Sequence, residues 1–269
     1  MKLKNLLLIV LVIVVVLVSS SIAIGANQTS IEIAGSTSVQ SLMEKLSEEY
    51  CNNHSNVKIN VQGGGSGMGI RSSGQGIADI GMSSKNLTEN ESEGLEIVEL
   101  GKEGIVIGVN NENKIDDLSI DDIRKIFSGE ITNWKEIGGD DEEIHLIVRE
   151  DGSGTRDAFD SLVMKDSEVK KDAIVQSSTE SVKQAVSSDP NAIGYVSLAH
   201  MSDDIKGISV GGVEASTDTI LNGDYELQRP FIIIFNNETA SDDLKDFINW
   251  IKSDEGKKII EEEKIVPSV

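Results

Sequence analysis

The stretch Ile147-Val148-Arg149-Glu150-Asp151-Gly152-Ser153-Gly154-Thr155-Arg156-Asp157-Ala158-Phe159 decides how this chain is read. A short apolar run delivers an arginine, an Asp-Gly turn follows, and Ser-Gly-Thr opens a helix with Ala158, Phe159, Leu162 and Val163 on one face. The order is strand, turn, helix. At such a junction the first helical N–H groups lack intrahelical partners and point outward. The helix dipole adds partial positive charge, and glycines let backbone approach a ligand closely. Ser153 and Thr155 add hydroxyl donors, and the planar fork of Arg149 can grip an oxyanion through two N–H groups at once. An anion is the natural occupant. Read alone, the same residues also suit an ordinary helix cap beside a surface arginine.

Repetition favours the site over the cap. Ile31-Glu32-Ile33-Ala34 alternates like a strand, and Gly35-Ser36-Thr37-Ser38 then leads into Val39, Leu42, Met43, Leu46 and Tyr50 at helical spacing. The alternating strand Val57 to Gln62 runs into Gly63-Gly64-Gly65-Ser66-Gly67-Met68-Gly69-Ile70. Ala78-Asp79-Ile80-Gly81-Met82-Ser83-Ser84-Lys85 is a further short strand ending in hydroxyls. The glycine-rich loop is not a nucleotide loop, because no Gly-Lys-Ser/Thr closes it and no register gives G-x-G-x-x-G. Met68 stands where a nucleophile elbow around Ser66 would need glycine.

The chain has 269 residues, enough for one large domain or two lobes. With 26% charged and 38% hydrophobic residues it has the composition of a folded soluble body. A net charge of −22 argues against nucleic acid or anionic membrane as partner. It does not forbid an anionic ligand, because surface charges are screened over about 8–10 Å while donors touching the ligand are not. Cys51 stands alone, so no intrachain disulfide forms, and no Cys/His cluster offers a metal site. No cofactor motif is present. His54, His145 and His200 sit in no motif that would place a base beside Ser66 or Ser153, so a hydrolase is disfavoured and no catalytic residue is assigned.

Lys2 and Lys4 precede an apolar run from Leu6 to Val18, followed by serines and by Ala23, Gly25 and Ala26. That is the layout of a secretory signal over residues 1–26, with an uncleaved anchor as the alternative because the apolar run nearly reaches the ~20 residues that span a bilayer. Either way the body is expected outside the cytoplasmic membrane. Sequons at Asn27, Asn53, Asn86, Asn90 and Asn237 are compatible with export.

Ile97 to Leu100 and Ile105 to Val109 read as two further strands, the second apolar enough to be central. Apolar periodicity stops between Asn110 and Asp117, which marks a crossing into a second lobe, and a return falls near Arg229-Pro230. The expected division is 27–110 and 229–269 for the first lobe and 111–228 for the second. Trp134 reads as a core or hinge anchor, Cys51 as a packed thiol and Glu261-Glu262-Glu263 as a solvated helix face. Strands alternating with helices imply α/β sheets covered on both faces, with ligands bound beyond the carboxyl ends of the strands, where the hydroxyl loops begin.

Taken in order, Gly35-Ser36-Thr37-Ser38, Gly63 to Gly67, Ala78 to Ser84 and Arg149 to Thr155 closely resemble the phosphate-binding proteins of ABC-type phosphate importers. Phe127-Ser128-Gly129-Glu130-Ile131-Thr132-Asn133-Trp134 and Ala192-Ile193-Gly194-Tyr195-Val196 are similar to that family as well, so the resemblance spans about residues 30 to 265. It implies an α/β, two-lobed periplasmic-binding-protein fold of type II, with a hinge and an interlobe cleft that closes around one orthophosphate. It also implies a monomer that hands its ligand to membrane permease subunits. The positions it marks for phosphate are Ser36, Thr37, Ser38, Ser66, Ser84, Arg149, Ser153, Gly154 and Thr155. One well-known form of the family has aspartate where Ser84 stands, and that aspartate accepts the proton that phosphate carries and sulfate lacks. Without it, sulfate, molybdate or tungstate becomes the alternative ligand class. Asp151 either replaces the acceptor or pairs with Arg149 and orients it; the resemblance favours the second role.

Overall fold

The computed structural model describes residues 28–269, so the predicted signal or anchor and the Asn27 sequon lie outside the described residues. Strand β1 (Thr29–Gly35) buries Ile31 and Ile33 and leaves Ser30 and Glu32 in solvent, the period-two pattern of a half-buried strand. Helix α1 (Thr37–Asn53) buries Val39, Leu42, Met43, Leu46 and Tyr50, one stripe at helical spacing. Strand β2 (Val57–Gly63), helix α2 (Ser66–Gly74) and strand β3 (Ile80–Ser83) repeat the unit. Both β2 and β3 pair parallel to β1, with Gly35 opposite Gly63 on one side and Met82 on the other. Parallel pairing puts the carboxyl ends of all three strands on one edge. Ser36, Gly64 and Ser83 are therefore neighbours there, although far apart in sequence.

After the single turn α3 (Glu89–Ser92), strand β4 (Glu96–Val109) runs unbroken for 14 residues. The expectation of two strands, Ile97–Leu100 and Ile105–Val109, is corrected here. The intervening Gly101-Lys102-Glu103-Gly104 breaks the apolar pattern but not the ladder, since these residues pair with β10 (Gln228–Phe235). Glu103 is fully buried and meets Arg229, 3% exposed, whose Nε donates to it at 2.6 Å. Its other oxygen accepts from Ser197 Oγ at 2.7 Å and from the Leu198 N–H at 2.9 Å. Burial pushes the Glu103 carboxyl up and Arg229 pulls it back. A charged pair thus sits inside the sheet where the sequence looks like a loop.

The remaining elements are β5 (Asp117–Leu118), α4 (Ile120–Ser128), β6 (His145–Arg149), α5 (Gly154–Phe159), β7 (Ile174–Gln176), α6 (Thr179–Ser188), β8 (Ala192–Ser197), β9 (Lys206–Val210) and α7 (Thr217–Leu221). After β10 come α8 (Asp242–Ile251), α9 (Asp254–Glu262) and β11 (Val266–Pro267). The main sheet order is β2-β1-β3-β10-β4-β8-β6-β7. β6 runs parallel to β7 and β8, which aligns Arg149 with Gln176 at a second edge of strand ends. The helix predicted to carry both Phe159 and Val163 is α5 followed by one π turn, Asp160–Met164.

Among the described residues two large apolar cores result, beside a small third cluster of Ile70, Ile232 and Ile234. One gathers Ile31, Leu42, Ile80, Leu100, Phe231, Ile233, Phe247 and Ile251; the other gathers Ile107, Phe127, Trp134, Ile147, Phe159, Val182, Tyr195 and Ile208. Each such side chain contributes about 1.5–3 kcal/mol by leaving water. β4 supplies residues to both cores, Leu100 to one and Ile105 to Val109 to the other. Trp134 is 2% exposed, and its Nε1–H donates to the Asn191 carbonyl at 3.0 Å. Cys51 is half-buried. The acidic tail departs from expectation at Glu263, which turns inward and pairs with Lys45 while Glu261 and Glu262 stay exposed.

Candidate functional site

The site is built where strand ends release helices. Ser36 is the N-cap of α1, Gly65 of α2, Ser153 of α5 and Ser178 of α6. Elsewhere the helix starts carry acid: Asp121 and Asp122 open α4, Asp242 and Asp243 open α8, and Asp254 and Glu255 open α9. Of the four helices at the site, α5 and α6 also carry acid in the first turn, Asp157 and Glu180, whereas α1 and α2 carry none, so the positive ends of these two are uncompensated by the chain itself.

These starts converge across the two cores. Ser36 Oγ donates to Ser84 Oγ at 2.8 Å, and the Ser84 N–H donates to Ser66 Oγ at 3.0 Å. Ser38 Oγ lies 2.9 Å from Thr155 Oγ1 and 3.0 Å from Thr179 Oγ1. The Thr179 N–H donates to Thr37 Oγ1 at 3.4 Å, and the Gly67 N–H donates to the Gly152 carbonyl at 3.0 Å. Gly154 is demanded by this approach, since a Cβ there would stand 2.1 Å from Ser66 Oγ and 2.6 Å from Ser84 Oγ. At the rim, Lys85 Nζ bridges Glu91 at 3.1 Å and Asp157 at 2.9 Å, tying the loop after β3 to α5.

All the marked positions meet in this region. Ser36, Ser38, Ser66, Ser84, Gly154, Thr155, Ser153 and Arg149 are buried, and Thr37 is half-buried. Ser153 Oγ accepts from the Arg156 N–H at 3.3 Å as a cap, which leaves its own proton free. Arg149, 1% exposed, is held on three sides. Its Nε and Nη2 donate to the two oxygens of Glu150 at 2.8 and 2.9 Å, and Nη1 donates to Thr179 Oγ1 at 3.2 Å. A guanidinium has five N–H donors. Three are used, so one N–H on each terminal nitrogen remains for an oxyanion.

One expectation fails. Asp151 does not orient Arg149: its side chain is 96% exposed and pairs with Arg156 at 2.9 Å. Glu150, next in the chain after Arg149, turns its carboxylate onto the fork, while Asp151 enters the turn before Gly152 and points to water. Thr179 is a residue that sequence reading missed. The signal was present in Ser177-Ser178-Thr179, a hydroxyl run after a strand and before a helix, but β7 is only three residues long and too weak to draw notice.

None of the histidines makes a hydrogen bond to the marked serines. His54 stacks on Tyr50 at 3.9 Å, His145 meets Asp189 at 2.7 Å, and His200 lies in the turn after β8 with its Nδ1 buried and unpartnered. Among the described residues, no group of three or more His, Cys, Asp or Glu side chains is arranged to hold a metal ion.

A PBP superfamily domain profile matches residues 22–255. The phosphate-binding protein PstS of Bacillus subtilis is 31% identical over 245 residues, covering 88% of this chain and 80% of that protein. Its counterpart in Borreliella burgdorferi is 29% identical over 249 residues, covering 88% and 89%. Among solved structures, a putative phosphate ABC transporter substrate-binding protein from Clostridium perfringens with bound phosphate superposes with TM-score 0.87 at 37% identity, covering 90% of this chain and all of that one. An ABC-type phosphate transport receptor from Vibrio cholerae gives 0.74 at 36% identity, covering 88% and 99%. The α/β architecture with its curled sheet is thus the type II periplasmic-binding-protein fold, as the loop motifs implied. The chain therefore belongs to the PBP superfamily and, within it, to the family of PstS phosphate-binding proteins.

Proposed function

We propose that this chain is an extracytoplasmic solute-binding protein that captures inorganic phosphate in an interlobe cleft and delivers it to the permease of an ABC importer. The first lobe comprises 27–110 and 229–269 and the second 111–228, with β4 and β10 as the strands between them. The observation that carries the reading is Arg149: a buried guanidinium, oriented by Glu150, with two N–H donors unspent amid the hydroxyls of Ser36, Ser38, Ser66, Ser84 and Thr155. The names and bound phosphate of the relatives support the ligand assignment. Hydrogen bonds to a charged group are worth about 1.5–3 kcal/mol each, and micromolar affinity needs about 8 kcal/mol net, so a handful of donors suffices. Only the closed arrangement lets both lobes contribute, so phosphate biases a hinge equilibrium towards closure.

Selectivity follows from the acceptors. Both oxygens of Glu150 are committed to Arg149, and Ser84 offers a hydroxyl where an aspartate would only accept. Sulfate is then rejected less sharply than by a carboxylate-bearing site. The protein acts as a monomer and performs no bond-breaking chemistry. Among the described residues no helix is long and apolar enough to cross a membrane; export, with or without retention at the membrane, rests on the N-terminal segment. The test is calorimetric titration of ligand-stripped protein with phosphate, alone and against excess sulfate, molybdate or tungstate. Saturable one-to-one phosphate binding is expected; no phosphate binding, or preference for a competitor, refutes the assignment.

A further inference from the structure

Thr179 stands outside the positions marked by the family motifs, yet it joins the two halves of the site. It is 1% exposed and opens the ten-residue helix α6. Its hydroxyl touches Arg149 Nη1 at 3.2 Å, Ser38 Oγ at 3.0 Å and Thr37 Oγ1 at 3.5 Å. Ser38 Oγ in turn lies 2.9 Å from Thr155 Oγ1.

Proton counting gives this chain of hydroxyls a direction. A guanidinium only donates, so Thr179 Oγ1 must accept from Arg149. The single hydroxyl proton of Thr179 then has two places to go, and the shorter contact, to Ser38, is the better one. Thr37 Oγ1 already accepts from the Thr179 N–H. With Ser38 accepting from Thr179, the arrangement that gives each hydroxyl of the chain one bond in and one bond out has Ser38 donating to Thr155 Oγ1, and it leaves the proton of Thr155 at the end of the chain.

We propose that Thr179 is a positioning residue that poles this relay, Arg149 to Thr179 to Ser38 to Thr155, so that Thr155 is fixed as a donor to the bound anion. The inference rests on the oxyanion-binding reading and deepens it. A relay that can only donate suits oxygens without protons, and treats a sulfate oxygen as well as an unprotonated phosphate oxygen. When Thr179 can no longer feed a proton to Ser38, the Ser38–Thr155 link is free to reverse. Thr155 then donates to Ser38 and presents a lone pair to the ligand, which a protonated phosphate can use and sulfate cannot. Loss of the Thr179 hydroxyl should therefore harm sulfate binding more than phosphate binding.

The experiment compares wild type, Thr179→Val and Thr179→Ser as ligand-stripped full chains, titrated separately with inorganic phosphate and with sulfate at constant ionic strength near pH 7. Denaturation midpoints without anion are measured alongside. Thr179→Val keeps the side-chain shape and should weaken phosphate by about tenfold, the loss of about one hydrogen bond to a charged group, and sulfate by several times more. Thr179→Ser should restore both affinities and their ratio. Thr179→Ala breaks the relay at the same link and should move the ratio in the same direction, which keeps the test alive if Thr179→Val folds poorly. Equal weakening of both anions, affinities within twofold of wild type in Thr179→Val, or a Thr179→Ser variant behaving like valine would each overturn the relay while leaving phosphate capture intact. A wild-type protein that binds neither anion would instead remove the function itself, and this inference with it.

Discussion

Replacing Arg149 is the sharpest perturbation of the proposed function. Its guanidinium spends Nε and one N–H of Nη2 on Glu150 and one N–H of Nη1 on Thr179, leaving one N–H on each terminal nitrogen. Two charge-assisted hydrogen bonds to phosphate are worth about 3–6 kcal/mol, so Arg149→Ala should weaken phosphate affinity by about a hundredfold to ten-thousandfold. Arg149→Lys keeps the charge but loses the fork, and should cost about tenfold to a hundredfold. Neither change should unfold the protein. The Arg149 N–H still donates to Tyr195 Oη at 3.1 Å, β6 keeps its pairing with β7 and β8, and Glu150, 29% exposed, can rehydrate. The assay is isothermal titration of ligand-stripped protein, paired with urea denaturation of the same samples. An Arg149→Ala isotherm within about threefold of wild type would refute the reasoning, because the buried fork would then have no part in anion capture.

Other consequences are equally direct. Glu150→Gln should lower ligand-free stability by about 2 kcal/mol, because a 1%-exposed guanidinium loses its counter-charge, whereas Asp151→Asn, at a 96%-exposed side chain, should stay within about 0.5 kcal/mol of wild type; equal effects in urea denaturation would contradict the assignment of the carboxylates. Gly154→Ala places a methyl 2.1 Å from Ser66 Oγ, so phosphate affinity should fall about tenfold to a hundredfold and ligand-free stability by about 1–3 kcal/mol; unchanged titration would show that the approach is not needed for binding. Asp157→Lys opposes Lys85 at the rim and should weaken phosphate by a few fold at low salt, with recovery in the Lys85→Asp, Asp157→Lys swap; failure of the swap to recover affinity would dismiss this ion pair from closure. Burial depresses His200 to about 4, so it is neutral in the folded protein and charged when unfolded below its ordinary value near 6.5. Its contribution is fully present above pH 6.5 and is lost as pH falls from there to about 4, up to about 3 kcal/mol; His200→Gln should flatten that limb of a stability-against-pH curve, and an unaltered slope would contradict it.

The sequence by itself determined the repeating units of this protein. Period-two runs before Gly35 and Gly63 and helical spacing from Val39 to Tyr50 are local, and they specify strand, loop and helix whatever lies elsewhere. The hydroxyl loops and Arg149 were legible for the same reason, because helix starts and turn glycines declare themselves over a few residues. Only the tertiary structure decided what those loops meet. Whether Glu150 or Asp151 faces the arginine depends on where a turn begins, and both are acidic residues in the same short segment. Thr179 enters the site because β7 pairs with β6 and sets Gln176 beside Arg149, a register that no local pattern encodes. Glu103 falls between two apolar runs and Arg229 at the expected return crossing, and nothing local to either pairs them. Their burial required the two distant strands to be aligned, since a charge is tolerable inside a sheet only when its counter-charge arrives from another part of the chain.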